Sequence, residues 1–462
     1  MSDLFSMLGL AARSLDAQRY GLDVTGQNIA NINTPGYTRR SVLYSEVPPL
    51  DPWSPGGGVN VQALVASRAP LVDARLRFEQ PASSREQTIA DQLSVIETAL
   101  GQPGSSLDAA LAQFYNTYGA LSQNPTSATA RQQVIVEGQT LSTTFNNLAT
   151  SFQSAQRDAD NQLRDAIGQV NTLAKQIAEL NSGIASVGVD NAQTLLDQQQ
   201  QALSSLTKLA DISVTQNSDG TVDLSIGNGS ALVVGQNVYG LSAVSAGPQG
   251  FARVMSEGSS TVPDDVTSFI TGGQIGGLIQ VRDTLVPQYQ NQLDNLAYGV
   301  VSDVNNLTQS GFDNNGVAGV NFFAQLAGPA GAAQAMAVNG AVAADTSLVV
   351  ASATTSSGNN DIARAIAALQ DAPISGTSTS PVDAWGNLVY QVGTDAQSAN
   401  QAQANHDQVI QQLQNLRSQI TGVSIDEEAA MLLKFQRSYE ANAKFFQVTD
   451  QTLDTLMGLV RS

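Results

Sequence analysis

The sequence predicts a mainly α-helical protein with a small inserted β domain, its two ends paired as an α-helical coiled coil. Three patterns carry this reading. Apolar residues recur at alternating steps of three and four near both ends, which is the pattern of a coiled-coil seam. A helical period also runs through residues 84–206 and returns after 268. Between these stretches, from about 211, the period drops to two.

Near the start the stripe is Leu4, Leu8, Ala11, Leu15, Leu22, Ile29 and Ile32, with Gln18 and Thr25 as weak positions. Ser2 is placed to cap this helix, and Asp3 sits in its first turn, where the helix dipole favours an anion. Pro35-Gly36 ends it. Residues 38–70 read as short and β-like, broken at Pro48-Pro49 and Gly56-Gly57-Gly58.

From residue 84 stripes appear in turn: Ile89 to Leu100, Leu107 to Leu121, Val134 to Phe152, and an unbroken heptad from Leu163 to Val187. Leu196, Leu203 and Leu206 add a shorter helix, and together these segments read as a long-helix bundle. Ile212 and Val214, then Asn217-Ser218-Asp219-Gly220, then Val222, Leu224 and Ile226 read as a hairpin. Helix resumes at Ser268, where Pro287 is expected to kink or restart it. Residues 311–384 are rich in Gly, Ala, Ser and Thr, with one clear helix near 361–370. They are expected to form an irregular or reduced outer segment. The last stretch of bundle helix runs from Asp395 to Gly422.

Ser424 and Glu427 then have the S-x-x-E spacing of a capping box and start a separate terminal helix. Its stripe includes Ile425, Ala429, Leu432, Tyr439, Ala443, Phe446, Leu453, Met457 and Val460. The expected organisation is nested. Residues 1–37 with 424–462 form a terminal coiled-coil core domain, and 38–210 with 268–310 and 385–423 a helical bundle. Residues 211–267 are an inserted β domain. A lone two-helix pair buries too little apolar surface to offset the ordering of its chain, so the termini are expected to be completed by neighbouring molecules.

Composition narrows the function. Lys and Arg number 21 against 40 Asp and Glu, a net charge of −19, which argues against nucleic acid or an anionic membrane surface as partner. The absence of cysteine excludes disulfides, thiolate metal sites and cysteine nucleophiles. No apolar run reaches the ~20 residues that span a bilayer, and the N-terminal stretch lacks the form of a cleaved secretory signal.

Candidate chemistry is sparse. His406, the single histidine, lies on an apolar stripe and reads as a helix-interface residue, since no nucleophile motif accompanies it. Gly272-Gly273-Gln274-Ile275-Gly276-Gly277 does not match a phosphate loop and reads as a flexible helix start. Asp313-Asn314-Asn315-Gly316 lacks the spaced acidic ligands of a calcium loop and reads as a polar turn. Asp426-Glu427-Glu428 reads as an acidic first turn that suits the dipole. Asn28 and Asn31 lie on one helical face beside the stripe and are candidates for binding, with Asn33. No catalytic, cofactor or metal site is read.

Asn28-Ile29-Ala30-Asn31-Ile32-Asn33-Thr34-Pro35-Gly36-Tyr37-Thr38-Arg39 resembles the N-terminal signature of the flagellar axial proteins, the family of rod, hook and hook-associated subunits. Gly422-Val423-Ser424-Ile425-Asp426-Glu427-Glu428-Ala429-Ala430-Met431-Leu432-Leu433, with Phe435 to Lys444, resembles the C-terminal signature. The Asp426-Glu427-Glu428-Ala429-Ala430 form and Pro35-Gly36-Tyr37 resemble the hook-associated members that join hook to filament. Leu121 to Pro125, Gly272 to Leu278 and Gly393 to Asp395 agree.

The resemblance implies a structural subunit, not an enzyme, whose terminal helices pack into a tubular core. Leu4, Leu8, Leu15, Leu22 and Ile29 would face Leu432, Tyr439, Phe446, Leu453 and Leu456 or neighbouring subunits. Asn28, Asn31 and Asn33 would make polar subunit contacts. It further implies export without a cleaved signal to an extracellular position at the hook–filament junction. The implied partners are further copies, the hook protein, the next hook-associated protein and a cytoplasmic export chaperone. The competing readings are a hook or rod subunit and a secreted adhesin that binds through the β insert.

Overall fold

The computed structural model describes residues 2–48, 56–102, 104, 106–247, 249–258 and 263–461. The chain starts with helix α1 (Ser2–Ala30) and an antiparallel hairpin of β1 (Arg40–Val47) and β2 (Gly58–Ala66). Helices α2 (Pro70–Leu100), α3 (Leu107–Gln123), α4 (Ala128–Val187) and α5 (Gln193–Leu209) follow. At 60 residues and 1.5 Å per residue, α4 is about 90 Å long and runs through both main cores as a spine. Ser127 caps it by accepting from the Ala130 amide, and Gly188 stops it with a positive φ.

In the first turns of α2, Val72 and Leu76 pack against Ile410 and Leu413, and the same inward face also buries Asp73 and Glu79. Asp73 lies 2.8 Å from Arg417, and Glu79 takes Arg75 at 2.6 Å and His406 Nδ1 at 2.9 Å. His406 therefore sits at a helix interface, on α11 (Pro381–Thr421), which packs antiparallel along α2.

The β insert is two small antiparallel sheets. One has the order β3 (Ile212–Gln216), β4 (Val222–Ile226), β5 (Ser230–Val234), β6 (Asn237–Val238). The other has β7 (Leu241–Ala246), β8 (Phe251–Ser256) and β9 (Asp264–Asp265). Val222, Leu224 and Ile226 alternate inward and share a core with Leu163, Val170 and Ile177 of α4. Asn181, fully buried on α4, donates to the carbonyls of Val222 and Gly235 and accepts from the Val222 amide, so the spine satisfies strand backbone directly.

After the sheets, α6 (Gly273–Gln280) leads without a break through one π-turn (Val281–Leu285) into α7 (Val286–Gln309). The bend expected at Pro287 is absorbed by this π-turn, because a proline without an amide hydrogen fits where the regular ladder is already interrupted. The π-turn also carries Arg282 into the interior. Its Nη1 meets Asp160 at 2.6 Å and donates to the Ala252 carbonyl at 2.8 Å. Gly272–Gly277 is close-packed, not flexible. A Cβ at Gly277 would lie 2.8 Å from the Arg85 carbonyl oxygen of α2, so only glycine permits this crossing.

Residues 311–384 contain short helices α8 (Ala332–Ala335) and α9 (Gly340–Ala344), then α10 (Asp361–Ala368), joined by irregular chain. They pack into the bundle core. Phe322 and Phe323 are buried against Phe114 of α3, in one core with α4, α7 and α11. Irregular backbone is tolerated there because helix side chains partner it. Asn305 brackets Phe323, donating to its carbonyl at 3.1 Å and accepting from its amide at 2.9 Å. Asp294 accepts from the Gly331 and Ala333 amides, and the buried Arg131 guanidinium donates to the Val349 carbonyl. The Asp313 carboxylate accepts from the Asn315 and Val317 amides, a polar turn closed by its own side chain. The final element is α12 (Ile425–Arg461).

Gly277→Val is expected to cost about 1–3 kcal/mol of unfolding free energy, read as a lower urea midpoint. Burial opposes ionisation of Asp160, yet hydrogen bonds from the Ala252 amide, Arg164 and Arg282 outweigh it and hold its carboxyl below the ordinary range. A carboxyl depressed on folding contributes stability that is complete above its unfolded pKa and is lost as pH falls through the folded value. The stability gap between the native chain and Asp160→Asn is therefore expected to be full at neutral pH and to close below about pH 4. Denaturant midpoints across that range measure it.

Candidate assembly interface

The terminal helices pair antiparallel: Asn28 of α1 meets Glu428 of α12, and Gly21 meets Phe435. The close approach at Gly21 has a steric reason. A Cβ there would stand 2.7 Å from the Phe435 ring and 2.8 Å from the Tyr44 hydroxyl, so the missing side chain is the hole that the Phe435 knob fills. The β1–β2 hairpin lies along the same helix. The Tyr44 hydroxyl donates to the Ala17 carbonyl at 3.2 Å, and Arg13 donates to the Gly57 carbonyl at 3.1 Å.

The buried seam is rotated from the stripe that the apolar spacing marks. On α1 the covered positions are Ala11, Ala17, Gly21, Val24, Thr25 and Asn28, mostly small. On α12 they are Glu428, Phe435 and Thr449. Leu8, Leu15, Leu22 and Ile29 are half-buried, as are Leu432, Phe446 and Leu453. Ile425 (57% exposed), Tyr439 and Leu456 lie open, together with Leu433 and Val448 (61%). Leu4 lies in α1, but its side chain is outside those described. The large apolar residues of the terminal stripes therefore divide between the seam margin and the outer surface.

The polar end of the seam is a closed network. Asn28 is 1% exposed, and its amide nitrogen donates to Glu428 Oε2 at 3.0 Å and to the Arg40 carbonyl at 2.8 Å. Its amide oxygen accepts from the Tyr37 hydroxyl at 2.8 Å and from the Arg40 amide at 3.0 Å. Glu428, 2% exposed, takes Arg39 Nε on its other oxygen at 2.7 Å. Burial raises the Tyr37 phenol above its ordinary value, with Arg40 opposing and Asp197 and Glu428 adding, so Tyr37 stays a donor. Next to this network, Asp197 of α5 joins Thr38 (2.8 Å), Arg68 (3.2 Å) and Arg40 (3.4 Å). The terminal pair, the hairpin and the bundle are thereby tied at one place.

Three expectations need correction. Asn28 is consumed inside the chain and is not free for a subunit contact, because a buried amide must find all its partners locally. Asn31 bonds back to the Gln27 carbonyl and accepts from Thr34, while Asn33 is exposed. The dipole does not account for all of Asp426-Glu427-Glu428, since Glu428 is the buried ionic partner of Arg39. Nor is the capping box reciprocal. Ser424 Oγ accepts from the Glu427 amide at a long 3.5 Å, and the Glu427 carboxylate turns instead to Arg39 at 2.7 Å.

Tyr37, Arg39, Arg40, Glu428, Gly21 and Phe435 are the residues of the terminal pair's seam and network that apolar spacing missed. One signal was available: Gly21 and Asn28, and Glu428 and Phe435, are each seven apart. Among the described residues no group of three or more His, Cys, Asp or Glu side chains could hold a metal ion, and no helix is long and apolar enough to cross a membrane.

This arrangement, a bundle whose distant ends are locked together with large apolar side chains left open, is the build of a structural subunit. A family model described as the flagellar hook-associated protein FlgK helical domain matches residues 93–323, half of the chain. Models described as flagella basal body rod protein and flagellar basal body rod FlgEFG protein C-terminal match residues 9–38 and 417–459. The chain belongs to the FlgK family of flagellar hook-associated proteins, structural proteins of the hook–filament junction. Flagellar hook-associated protein 1 of Bacillus subtilis (strain 168) is 27% identical over 501 residues, covering 99% of this chain and 98% of its own. That of Escherichia coli (strain K12) is 27% identical over 545 residues, covering 98% and 100%. The flagellar hook junction protein FlgK from Burkholderia pseudomallei shares the fold, with a TM-score of 0.68 at 16% identity over 76% of this chain and 100% of that one.

Glu428→Ala removes one acceptor from the buried Asn28 amide, while the partly exposed Arg39 keeps Glu427 at 2.7 Å. The change is expected to cost the terminal pair about 1–2 kcal/mol, seen as faster amide exchange across α1 and α12 with protection of α4 unchanged.

Proposed function

We propose that the protein joins hook to filament through its terminal pair, and that the outward apolar faces of α1 and α12 are completed by neighbouring axial subunits. The observation that carries this reading is the contrast within the chain. Leu293, Leu296, Val300 and Val304 of α7 are covered, whereas Ile425, Leu433, Tyr439, Val448 and Leu456 of α12 are open. Large apolar side chains left open along one helix mark a surface awaiting a partner. Leu8, Leu15, Leu22 and Ile29, at the seam margin, are placed to serve the same neighbours.

The residues at this interface divide by role. The polar network of Asn28, Arg39 and Glu428 sets the angle of the pair, and the apolar rows supply contact area. Further copies of the chain would lie beside it, with the hook protein on one side and the next hook-associated protein on the other. The same exposed rows are a liability before assembly, which fits a cytoplasmic export chaperone that covers α12. Export would pass through the flagellar type III channel without a cleaved leader. The terminal unit is then the assembling domain, and the bundle with its β insert stands outside it.

Tyr439→Asp places a charge on the open face. The purified variant is expected to unfold within ~0.5 kcal/mol of the native chain, since an exposed position bears little of the fold. Cells carrying it are expected to lose attached filaments and motility. Filaments retained at normal number would sink the proposal.

A further inference from the structure

The β4–β5 turn places a reactive amide beside its own activating group. The chain contains three Asn-Gly steps, at Asn228, Asn315 and Asn339. This dipeptide is chemically labile. The amide nitrogen of the glycine can attack the Asn Cγ, because glycine has no side chain to obstruct the approach.

The structure separates the three. Asn339 is held at both ends of its side chain: Nδ2 donates to the Asn321 carbonyl at 2.9 Å, and Oδ1 accepts from the Ala341 amide at 3.1 Å as a helix cap. Asn315 donates to Ser347 Oγ at 3.2 Å, and a Cβ at Gly316 would lie 3.1 Å from the Thr355 carbonyl oxygen, so its turn is packed. Asn228 is exposed, and a Cβ at Gly229 would meet nothing within 4 Å. The Gly229 amide donates to the Ile226 carbonyl at 3.2 Å, as the Gly316 amide does to the Asp313 carbonyl, so what sets Asn228 apart is the open turn and the donor on its side chain. The Ser230 hydroxyl donates to Asn228 Oδ1 at 2.8 Å. Oδ1 is the atom on which negative charge develops when Cγ is attacked, so Ser230 occupies the position of an oxyanion donor.

We infer that Asn228 is a self-modification site, where Ser230 promotes attack of the Gly229 amide nitrogen on the Asn228 side chain. The Gly229 nitrogen gives its proton to solvent base as the new N–Cγ bond forms. The Cγ–Nδ2 bond then breaks, and Nδ2 leaves as ammonia after taking a proton. The product is a five-membered succinimide. Water opens it at either carbonyl, giving aspartate or isoaspartate, so the net change is water consumed and ammonia released with no oxidant or reductant. Either product adds a negative charge at the turn. Isoaspartate also lengthens the main chain by one methylene next to the Ile226↔Ser230 pair, where β4 and β5 already shift register after Leu224.

The test is incubation of the folded full-length protein at mildly alkaline pH, followed by peptide mapping by mass spectrometry with isoaspartate detection. Asn228 is expected to convert first, and Ser230→Ala to slow it about tenfold, the worth of one hydrogen bond in a solvent-exposed place. Ser230→Thr, which keeps the hydroxyl, is expected to restore the rate, separating chemistry from any loosening of the turn. Equal conversion at Asn228, Asn315 and Asn339 in the folded chain would overturn the inference. So would a rate at Asn228 that does not respond to Ser230→Ala.

Discussion

The structure depends on one buried polar contact, the meeting of Asn28 and Glu428 across 400 residues of chain. Neither group is tolerable alone in that position. A carboxylate removed from water needs a cation and donors, and Arg39 and Asn28 supply them. The Asn28 amide in turn needs its remaining partners, and Tyr37 and the Arg40 backbone complete it. The network forms only when the chain end, the turn after α1 and the start of α12 are all in place, so it fixes both position and angle. Small residues at Ala17 and Gly21 then let α12 lie close, and the large apolar residues are displaced to the margins and the outside. Internal order and external stickiness have a common origin here.

The rest of the molecule follows a related rule: side chains on long helices are hydrogen-bonding partners of chain that is not helical. Asn181 serves a strand, Asn305 and Asp294 serve irregular chain, and Arg131 serves a carbonyl, each from the flank of a long helix. This is why a segment of Gly, Ala, Ser and Thr can be part of the main core without regular structure of its own. Two cores are strung along one helix of about 90 Å.

Much of this was legible in the residues. The helical periods of 107–121 and 163–187, the hairpin around Asn217 to Gly220 and the separate last helix are local features, and local propensity with period is enough to reveal them. The terminal signatures were equally legible, since turn chemistry at Pro35-Gly36 and a capping Ser424 act within a few residues. Three features were hidden. In the early turns of α2 the buried charges of Asp73 and Glu79 interrupt the apolar spacing of Val72 and Leu76. The packing of 311–384 relies on partners that lie far away in sequence. Apart from Val24 and Phe435, the seam of the terminal pair runs through small and polar side chains, whereas the eye follows the large apolar ones.

The sequence by itself determined that this chain is helical, thiol-free, acidic and apolar along both ends, because composition and period are properties of neighbouring residues. Only the tertiary structure decided which face of those ends turns inward. That choice rests on a missing Cβ at Gly21 and on the pairing of Glu428 with Arg39 and Asn28, and a contact between residues hundreds apart leaves no period to read.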